Sequence, residues 1–425
     1  MSFETISVVG LGYIGLPTAA MFASRKKKVI GVDVNLNAVD TINRGEIHIV
    51  EPDLDMIVHA AVTEGYLKAV TTPEPADAFL IAVPTPFKEC AEGEIPEPDL
   101  RFIEAASKAI APVLKKGDLV ILESTSPVGA TEQMAEWLSE SRSDLTFPQN
   151  AGEDADVNIA HCPERVLPGH VVRELVENDR VIGGMSTRCS ERSVELYKTF
   201  VLGECVITNA RTAEMAKLTE NSCRDVQIAF ANELSIICDK LNINVWELIS
   251  LANRHPRINI LQPGPGVGGH CIAVDPWFIV SNTPEQAKLI HTARLVNDAK
   301  PDWVINKVKL AVADFLQANP GKSASDVRIS CFGLAFKANI DDLRESPSLE
   351  IAMQIAKTHP AQVNFVEPHI IELPLFTPSN TKLTSTQDAL NNTDIAVILV
   401  DHSEFKSIKE LPRDVVVVDT KGIWK

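Results

Sequence analysis

The chain has 425 residues, of which 45% are hydrophobic and 23% charged, and it carries a formal net charge of −17. This length predicts two or three domains, each large enough to bury its own core. The acidic balance argues against general nucleic-acid binding, which requires a basic surface, and no apolar stretch approaches the ~20 residues that span a bilayer.

A glycine fingerprint follows the first predicted strand. The apolar run 6–9 predicts a buried parallel strand, and the glycines of Gly10-Leu-Gly-Tyr-Ile-Gly15 come directly after it. A second strand, 28–33, ends in Asp33. In such a unit the glycines admit a pyrophosphate to a helix N-terminus, and the acid accepts hydrogen bonds from the adenosine ribose. Because the charge of Asp33 would repel a 2′-phosphate, the pattern predicts NAD rather than NADP.

Strands and helices alternate through the N-terminal part of the chain. Further strands are predicted at 78–83, 118–122, 157–161 and 180–182, with helices at 99–115 and 129–140. This alternation predicts a doubly wound parallel sheet, which binds ligands at the carboxyl ends of its strands. Two of these ends carry hydroxyls and prolines, in Val83-Pro84-Thr85-Pro86 and Glu123-Ser-Thr125-Ser-Pro127. A nicotinamide or a sugar can lie there, and ordinary turns are the alternative.

The middle of the chain is predicted to be helical. A pattern without Gly or Pro predicts one helix over 212–240, long enough to bridge two domains or to form a dimer core. Further helices are predicted at 244–254 and 284–299, with a loop at 255–276. That loop contains the glycine-rich stretch 264–271, which ends in Cys271. A substrate can reach such a cysteine and form a covalent adduct with it, and a tight turn before a helix is the alternative.

The C-terminal part alternates strands and helices again. Strands are predicted at 327–332, 363–366, 395–400 and 415–418, and Gly333-Leu-Ala-Phe-Lys337 follows the first of them. The predicted fold class is therefore α/β, with two Rossmann-like doubly wound domains joined by a helical central domain with one long helix. We place the domains at residues 1–205, 206–305 and 306–425.

Cysteine and histidine spacing limits the chemistry further. The eight cysteines are widely spaced and form no C-x-x-C pair, which favours reduced thiols and a cytoplasmic protein. The first strand begins by residue 6, so we expect no signal peptide. The histidines show no zinc-type spacing, and we expect no metal.

Six motifs in order give the chain a resemblance to the UDP-glucose/GDP-mannose dehydrogenase family over essentially its whole length. They are Gly10-Leu-Gly-Tyr-Ile-Gly15, Glu123-Ser-Thr-Ser-Pro127, Pro163-Glu-Arg165, Glu214-Met-Ala-Lys217-Leu-Thr-Glu-Asn221, Gly268-Gly-His-Cys271 with Asp275, and Phe332-Gly-Leu-Ala-Phe-Lys337 with Arg344-Glu-Ser-Pro347. The resemblance implies an enzyme that oxidises the 6-hydroxyl of a nucleotide sugar twice, using two NAD+ and one water. It also implies that the three domains bind NAD, carry the cysteine loop with the dimer contacts, and bind UDP.

The resemblance implies a role for each residue at a matching position. Cys271 is the implied nucleophile, because oxidation beyond the aldehyde requires a covalent handle. The other implied catalytic residues are Lys217 and Asn221 as oxyanion-holding groups on one helix face, Asp275 and Thr125 as groups that position water, and Glu164 as a proton-handling carboxylate. Implied contacts to NAD are Gly10, Gly12, Tyr13, Ile14, Gly15, Asp33, Pro84, Thr85, Thr125 and Arg344. Implied contacts to the nucleotide sugar are Glu164, Arg165, Lys217, Asn221, Arg257, Gly268, His270 and Lys337, with Arg257 supplied by the partner in a homodimer.

Departures from the UDP-glucose pattern bear on the substrate. His270 precedes the cysteine, Pro168 stands where a second acid is often found, and Lys421 replaces an arginine. These changes resemble the N-acetylhexosamine branch, which implies UDP-N-acetyl-D-mannosamine and the enterobacterial common antigen pathway. UDP-glucose, UDP-N-acetylglucosamine and GDP-mannose are alternatives within the family. A two-electron hydroxyacid dehydrogenase, which needs no loop cysteine, and a non-catalytic NAD-binding protein are alternatives from other classes.

Overall fold

A computed structural model describes residues 3–49, 51–91, 93–167, 169–269, 271–412 and 414–424. The chain forms two compact units. The first comprises Met1–Glu220 with Ser281–Thr283, and the second comprises Asn221–Val280 with Pro284–Lys425. The boundary at Glu220 falls within one long helix. The three predicted domains therefore stay a prediction.

The first unit alternates strands with helices. Its strands are β1 (Thr5–Val9), β2 (Lys28–Val32), β3 (Leu67–Val70), β4 (Ala78–Ile81), β5 (Leu119–Leu122), β6 (Asn158–His161), β7 (Arg180–Gly184) and β8 (Cys205–Asn209). Its helices are α1 (Gly15–Ser24), α2 (Leu36–Asn43), α3 (Leu54–Thr63), α4 (Arg101–Ile110), α5 (Ala130–Ser141), α6 (Pro148–Ala151), α7 (Val171–Glu177), α8 (Thr187–Tyr197) and the first part of α9 (Ala210–Leu241).

These strands form one eight-stranded sheet in the order β3-β2-β1-β4-β5-β6-β7-β8. The reversal of order on either side of β1 is the arrangement of dinucleotide-binding sheets. The predicted parallel pairing is confirmed for all neighbours except β6 and β7, which are antiparallel and pair Ala160 with Gly184. The apolar pattern of a strand is the same in either direction, so the sequence alone does not reveal this reversal.

Burial on both faces explains the composition of the central strands. β4, β5 and β6 are buried at every residue, as strands covered by helices on both faces must be. Leu119 and Ile121 of β5 join one apolar cluster, while Val120 and Leu122 join the other. Successive side chains thus reach opposite faces of the sheet. The outer strands β3 and β8 lack this continuous apolar run. For this reason neither strand was predicted from the sequence.

The second unit contains helices followed by a smaller sheet. Its helices are the remainder of α9, α10 (Val245–Ala252), most of α11 (Asp275–Asn282), α12 (Lys288–Ala318), α13 (Pro347–Thr358), α14 (Thr386–Asn391) and α15 (Ser403–Lys406). Its strands are β9 (Ile329–Phe332), β10 (Val363–Val366), β11 (Thr381–Leu383), β12 (Ile395–Ile398) and β13 (Val416–Asp419). They are all parallel, in the order β11-β10-β9-β12-β13. The predicted second Rossmann-like half is confirmed.

Two predicted boundaries in the helical segment were wrong. The helix predicted at 284–299 is α12, which continues to Ala318 and contains Pro301. Proline lacks the N–H of a helical hydrogen bond and usually ends or kinks a helix. The helix nevertheless continues through Pro301 to Ala318. The predicted loop 255–276 ends early, because Asp275 already begins α11. The long helix predicted at 212–240 is confirmed as α9.

Glu214 on α9 caps the N-terminus of α5. Its buried carboxylate accepts hydrogen bonds from the backbone N–H groups of Gly129 (2.7 Å) and Thr131 (2.8 Å) and from the Thr131 hydroxyl (2.6 Å). α5 has no side-chain cap of its own, so this distant acid satisfies N–H groups that a helix start leaves unpaired.

We predict that Glu214→Gln lowers the free energy of unfolding by roughly 1–3 kcal/mol, because the amide NH2 cannot accept the bonds that one carboxylate oxygen accepts. Chemical denaturation measures this loss. Glu233→Gln, at an exposed position on the same helix, is the matched control and should change stability by less than about 0.5 kcal/mol. Equal losses in the two variants would show that Glu214 is not a structural cap.

Candidate active site

The glycine fingerprint forms the turn between β1 and α1. Gly10 has a φ of +91°, and a Cβ there would lie 2.6 Å from the carbonyl oxygen of Ala82. A Cβ at Gly15 would lie 1.8 Å from the carbonyl oxygen of Gly10. Nothing lies within 4 Å of the Cβ position at Gly12. The first two glycines are thus required by the fold, whereas Gly12 borders open space at a helix N-terminus, where a phosphate binds.

Asp33 connects the end of β2 to this turn. Its Oδ2 accepts a hydrogen bond from the N–H of Leu11 (2.8 Å), and its Oδ1 accepts one from the N–H of Asn35 (2.9 Å). The side chain is half-buried. A carboxylate has about four acceptor positions, so capacity for the two ribose hydroxyls of NAD remains.

The two predicted strand-end segments are joined to each other. They follow the neighbouring strands β4 and β5, and the hydroxyl of Ser124 donates to the carbonyl of Val83 (2.6 Å). The hydroxyl oxygen of Thr85 is buried and has no hydrogen-bond partner among the described residues. Buried polar atoms are nearly always paired, so this hydroxyl fits a ligand contact. Thr125 beside it is half-buried, whereas Pro84 is exposed.

The remaining predicted NAD contacts in this unit flank the glycine turn. Ile14 is the N-cap residue of α1 and makes no side-chain cap, and Tyr13 is 38% exposed. The N-terminal N–H groups of α1 therefore receive no side-chain cap from their own helix. With Gly12 facing open space and Thr85 unpaired, the residues present fit a bound dinucleotide.

Glu164 lies buried in the segment after β6. Its Oε1 accepts a hydrogen bond from the N–H of Arg165 (2.7 Å), and its Oε2 lies 2.7 Å from Nη2 of Arg180. The guanidinium of Arg165 pairs with Glu220 on α9 (2.7 Å). Arg165, predicted to bind the sugar, is therefore held by an acid of its own chain. Arg180 was not among the predicted site residues.

Lys217 and Asn221 lie one turn apart on α9, and both are half-buried. Residues at this spacing lie on one helix face. In the second unit, Nδ2 of Asn221 donates to Oδ2 of Asp275 (2.5 Å). Asp275 is 3% exposed and begins α11, so α9 fixes the aspartate that the motif pairs with the cysteine.

Cys271 lies four residues before Asp275, in the turn that leads into α11. Its carbonyl accepts hydrogen bonds from the N–H groups of Asp275 (2.9 Å) and Val274 (3.1 Å), and the residue is exposed. The turn thus connects an exposed cysteine to a buried aspartate whose carboxylate is held by Asn221. His270 lies outside the described residues.

The glycines before Cys271 pack against the C-terminal motif of the second unit. A Cβ at Gly268 would lie 2.4 Å from the carbonyl oxygen of Glu345 and 2.6 Å from Cδ of Pro347. Gly269 has a φ of +84°, and its N–H donates to the same carbonyl (3.3 Å). Close packing accounts for glycine at 268 without a ligand, so its predicted contact with the sugar stays a prediction.

A buried polar network holds the start of the same loop. The N–H of Gly264 donates to Oδ1 of Asn232 on α9 (2.9 Å), whose amide donates to Asn297 on α12 (2.9 Å). Asn297 donates to Asp225 (2.8 Å), which also pairs with Arg294 (2.6 Å). Two long helices therefore position the loop that carries the cysteine.

Lys337 borders a small cavity of about 50 Å³ in the second unit. The cavity is also lined by Gly266, Phe336, Ser348, Asp401 and Lys421. Nζ of Lys421 lies 3.3 Å from Oδ1 of Asp401, so the lining includes two lysines and one aspartate, of which one lysine and the aspartate form an ion pair. Lys421 lies far along the chain from the Lys337 motif, so in the sequence it stands out only as a departure from the family pattern.

The two predicted arginines of the second unit are exposed. The guanidinium of Arg344 pairs with Asp342 on its own loop (2.6 Å). Arg257 lies in the segment that follows α10. Neither arginine lines the Lys337 cavity, so their predicted contacts with NAD and with the sugar stay predictions.

Three regions of the chain match domain models of one family. Residues 4–201 match the NAD binding domain of the UDP-glucose/GDP-mannose dehydrogenase family, residues 211–299 its central domain, and residues 330–425 its UDP binding domain. The chain belongs to this family. It is accordingly an NAD-dependent oxidoreductase, and the predicted enzyme class and cofactor are confirmed.

Individual relatives match over the full length. A UDP-N-acetyl-D-mannosamine dehydrogenase from Yersinia pestis is 68% identical over 428 residues, with all of both chains covered. An NDP-N-acetyl-D-galactosaminuronic acid dehydrogenase from Ralstonia solanacearum is 63% identical, covering all of this chain and 97% of the relative. A solved UDP-D-ManNAc dehydrogenase from Pyrococcus horikoshii is 37% identical, with a TM-score of 0.85 and coverage of 99% and 96%.

Two further features of this family member concern metals and membranes. Within the part of the chain that the structure describes, Glu367, His369 and His402 bring potential metal ligands together. Nδ1 of His402 accepts a hydrogen bond from the N–H of Asn339 (2.9 Å), so Nε2 carries the proton and faces Glu367 (3.0 Å). Both ring nitrogens are thus engaged. Among the described helices, none combines the length and apolarity needed to cross a bilayer.

We predict that Gly12→Ala weakens NAD binding by at least about tenfold and leaves the melting temperature unchanged, because the added methyl meets no protein atom but fills the space beside the pyrophosphate site. Isothermal titration calorimetry with NAD measures the affinity. Gly15→Ala is the contrasting variant and should destabilise the fold itself, since its Cβ overlaps backbone. Unchanged NAD affinity in Gly12→Ala would place the pyrophosphate elsewhere.

Proposed function

We propose that the protein oxidises UDP-N-acetyl-D-mannosamine at its 6-hydroxyl to UDP-N-acetyl-D-mannosaminuronate, in two NAD-dependent steps. The observation that supports this choice of substrate is the 68% full-length identity to a dehydrogenase of that sugar. The hydrogen bond between Asn221 and Asp275, four residues after Cys271, supports the four-electron reaction. A nucleotide sugar of N-acetylgalactosamine is the second candidate, because a relative named for that sugar acid is 63% identical.

The two oxidations require a covalent stage on this chain. Bound NAD supplies a hydride acceptor for each oxidation. After the first, the thiolate of Cys271 adds to the aldehyde carbon and gives a thiohemiacetal, whose oxyanion Lys217 and Asn221 stabilise. The second oxidation leaves a thioester. Water positioned by Asp275 and Thr125 cleaves it, which releases the acid and restores the thiol.

Other residues bind and orient the substrate in this proposal. Glu164 orients the sugar and handles the proton of the reacting hydroxyl. Lys337 and Lys421 contact the diphosphate, because two ammonium groups beside one cavity suit an anion. Arg165 becomes available to the substrate when its pairing with Glu220 opens, since exposed ion pairs are weak.

We further propose that the enzyme is a cytoplasmic homodimer and takes part in enterobacterial common antigen synthesis. Phe230, Ile237 and Leu241 form a stripe on α9, and they are 54%, 43% and 62% exposed. Their i, i+7 and i+11 spacing places them on one helix face. An apolar helix stripe of this kind suits a second copy of the chain, and Arg257 then serves the partner's site.

The substrate test uses the purified enzyme with NAD and five nucleotide sugars: UDP-N-acetyl-D-mannosamine, UDP-N-acetylgalactosamine, UDP-N-acetylglucosamine, UDP-glucose and GDP-mannose. Absorbance at the nicotinamide band follows turnover. We expect the first sugar to give the highest kcat/KM and two NADH per sugar. One NADH per sugar would indicate a two-electron dehydrogenase, and no NADH with any sugar would indicate a non-catalytic NAD-binding protein.

We predict that Cys271→Ala abolishes formation of the acid, with a loss of at least about 10³-fold in turnover, because no other group supplies the covalent handle. Mass spectrometry of the product and NADH counted per sugar measure the effect. Cys90→Ala, which removes another exposed thiol, should retain activity. Two NADH per sugar from Cys271→Ala would exclude the covalent route.

We predict that Ile237→Glu converts the dimer to a monomer, because a buried unpaired charge destabilises an apolar interface. Size-exclusion chromatography with light scattering measures the mass. Ile371→Glu, at a fully exposed loop position, should leave the dimer intact. A monomeric parent protein, or a dimeric Ile237→Glu variant, would contradict this use of the α9 stripe.

A further inference from the structure

A buried ion cluster lies against Glu164 in the first unit. Nη2 of Arg180 is 2.7 Å from Oε2 of Glu164, and Nη1 is 3.9 Å from Oε1 of Glu123. The side chains of Arg180, Glu164 and Glu123 are 4%, 7% and 0% exposed. Arg180 opens β7, whereas the two acids follow β5 and β6, so three parts of the sheet meet here.

Two aromatic side chains lie against the guanidinium of Arg180. Its central carbon lies 4.7 Å from the ring centroid of Tyr197 and 5.8 Å from that of Phe200. The hydroxyl of Tyr197 donates a hydrogen bond to Oε1 of Glu123 (2.6 Å). Tyr197 therefore contacts both Glu123 and Arg180, and the guanidinium lies within cation–π distance of two aromatic rings.

Hydrogen bonding in the cluster is incomplete. Nη2 of Arg180 and Oε2 of Glu164 are in ion contact at 2.7 Å, but the buried atoms Oε2 of Glu123 and Nη1 of Arg180 have no hydrogen-bond partner among the described residues. A purely structural ion pair in a core normally satisfies such atoms. Incomplete pairing beside a proposed substrate residue points to a role in the reaction.

The charge balance of the cluster is sensitive to pH. Burial and the nearby Glu164 raise the pKa of Glu123 to about 7, although Arg180 and the Tyr197 hydroxyl oppose the shift. Burial alone would lower the pKa of Arg180, but Glu164 holds it above its usual value, so the guanidinium stays charged. The remaining titratable neighbour, Cys162, stays a thiol because burial raises its pKa to about 12.

We propose that Arg180 is a positioning residue for the Glu164 carboxylate, and that Glu123 and Tyr197 hold Arg180 in place and set how much of its charge faces Glu164. This inference rests on the proposed role of Glu164 in sugar oxidation. When Glu123 is neutral, Arg180 interacts with Glu164 alone. When Glu123 is ionised, the two carboxylates share the guanidinium.

The test compares Arg180→Lys, Glu123→Gln and Tyr197→Phe with the parent enzyme, on the sugar that the parent oxidises. A lysine keeps the charge but cannot reach both carboxylates. We expect Arg180→Lys to lower kcat at least about tenfold while the KM for NAD changes less than about twofold. Arg142→Lys, at an arginine paired with Asp144 outside the proposed site, is the matched control and should keep its kcat.

The pH profile of kcat distinguishes positioning from mere structural support. The parent should show an inflection near pH 7, from the ionisation of Glu123. Glu123→Gln should remove this inflection, and Tyr197→Phe should move it to higher pH, because the lost hydroxyl favours the ionised form. Tyr197→Phe removes one atom and keeps the ring, so it serves even where the other variants fold poorly.

Thermal stability gives a readout that needs no turnover. The raised pKa of Glu123 means that the folded parent loses stability as the pH rises from the ordinary carboxyl range to about 7, because the unfolded chain ionises first. The melting temperature of Glu123→Gln should therefore rise relative to the parent between pH 4.5 and about pH 7. Unchanged pH profiles in Glu123→Gln and Tyr197→Phe, or parent-like kcat in Arg180→Lys, would overturn the proposal. An inactive parent with the expected melting curves would overturn the proposed function instead.

Discussion

A strand covered by helices on both faces carries mainly apolar side chains, and this constraint places much of the chemistry of the first unit at the strand ends. β4 and β5 are apolar and buried throughout, and β6 is buried throughout with Asn158 and His161 at its two ends. Polar residues that can reach a ligand therefore follow the strand ends. Thr85, Thr125 and Glu164 follow these three neighbouring strands. Because β4 and β5 are parallel, as are β5 and β6, their carboxyl ends form one edge and the three side chains line it.

The cysteine loop depends on a different constraint, since it does not follow a strand. Its glycines allow the backbone to approach Glu345 and Pro347 closely. The side-chain oxygen of Asn232 accepts a hydrogen bond from the N–H of Gly264. Asn232 donates to Asn297, which donates to the buried Asp225 that pairs with Arg294. Removing one partner of such an ion pair is costly, because it leaves a buried charge unpaired. The position of Cys271 is thus set by close packing at one side of the loop and by a polar core at its start.

The sequence predicted those parts of the site that are encoded locally. The strand, the glycines and the acid of the NAD turn lie within one short segment, so the sequence pattern predicts them together. The strands with continuous apolar runs were also all predicted. Edge strands such as β11 were not predicted, because their partial exposure to solvent removes the continuous apolar run. The cluster of Glu123, Arg180 and Tyr197 was not predicted either. Its members come from three distant elements, and no residue type among them is unusual at its own position in the sequence. Only the fold brings them together.

The two sheets also show how one topological position serves two purposes. Asp33 after β2 and Glu367 after β10 each accept an N–H from the turn that follows the neighbouring central strand. Asp33 is half-buried and keeps acceptor capacity for a ribose. Glu367 is 4% exposed, and its oxygens are occupied by three backbone N–H groups and by His402. A saturated carboxylate cannot bind a ribose, so any nucleotide bound by the second sheet must be held by other groups, among which Lys337 and Lys421 are placed to contact a diphosphate.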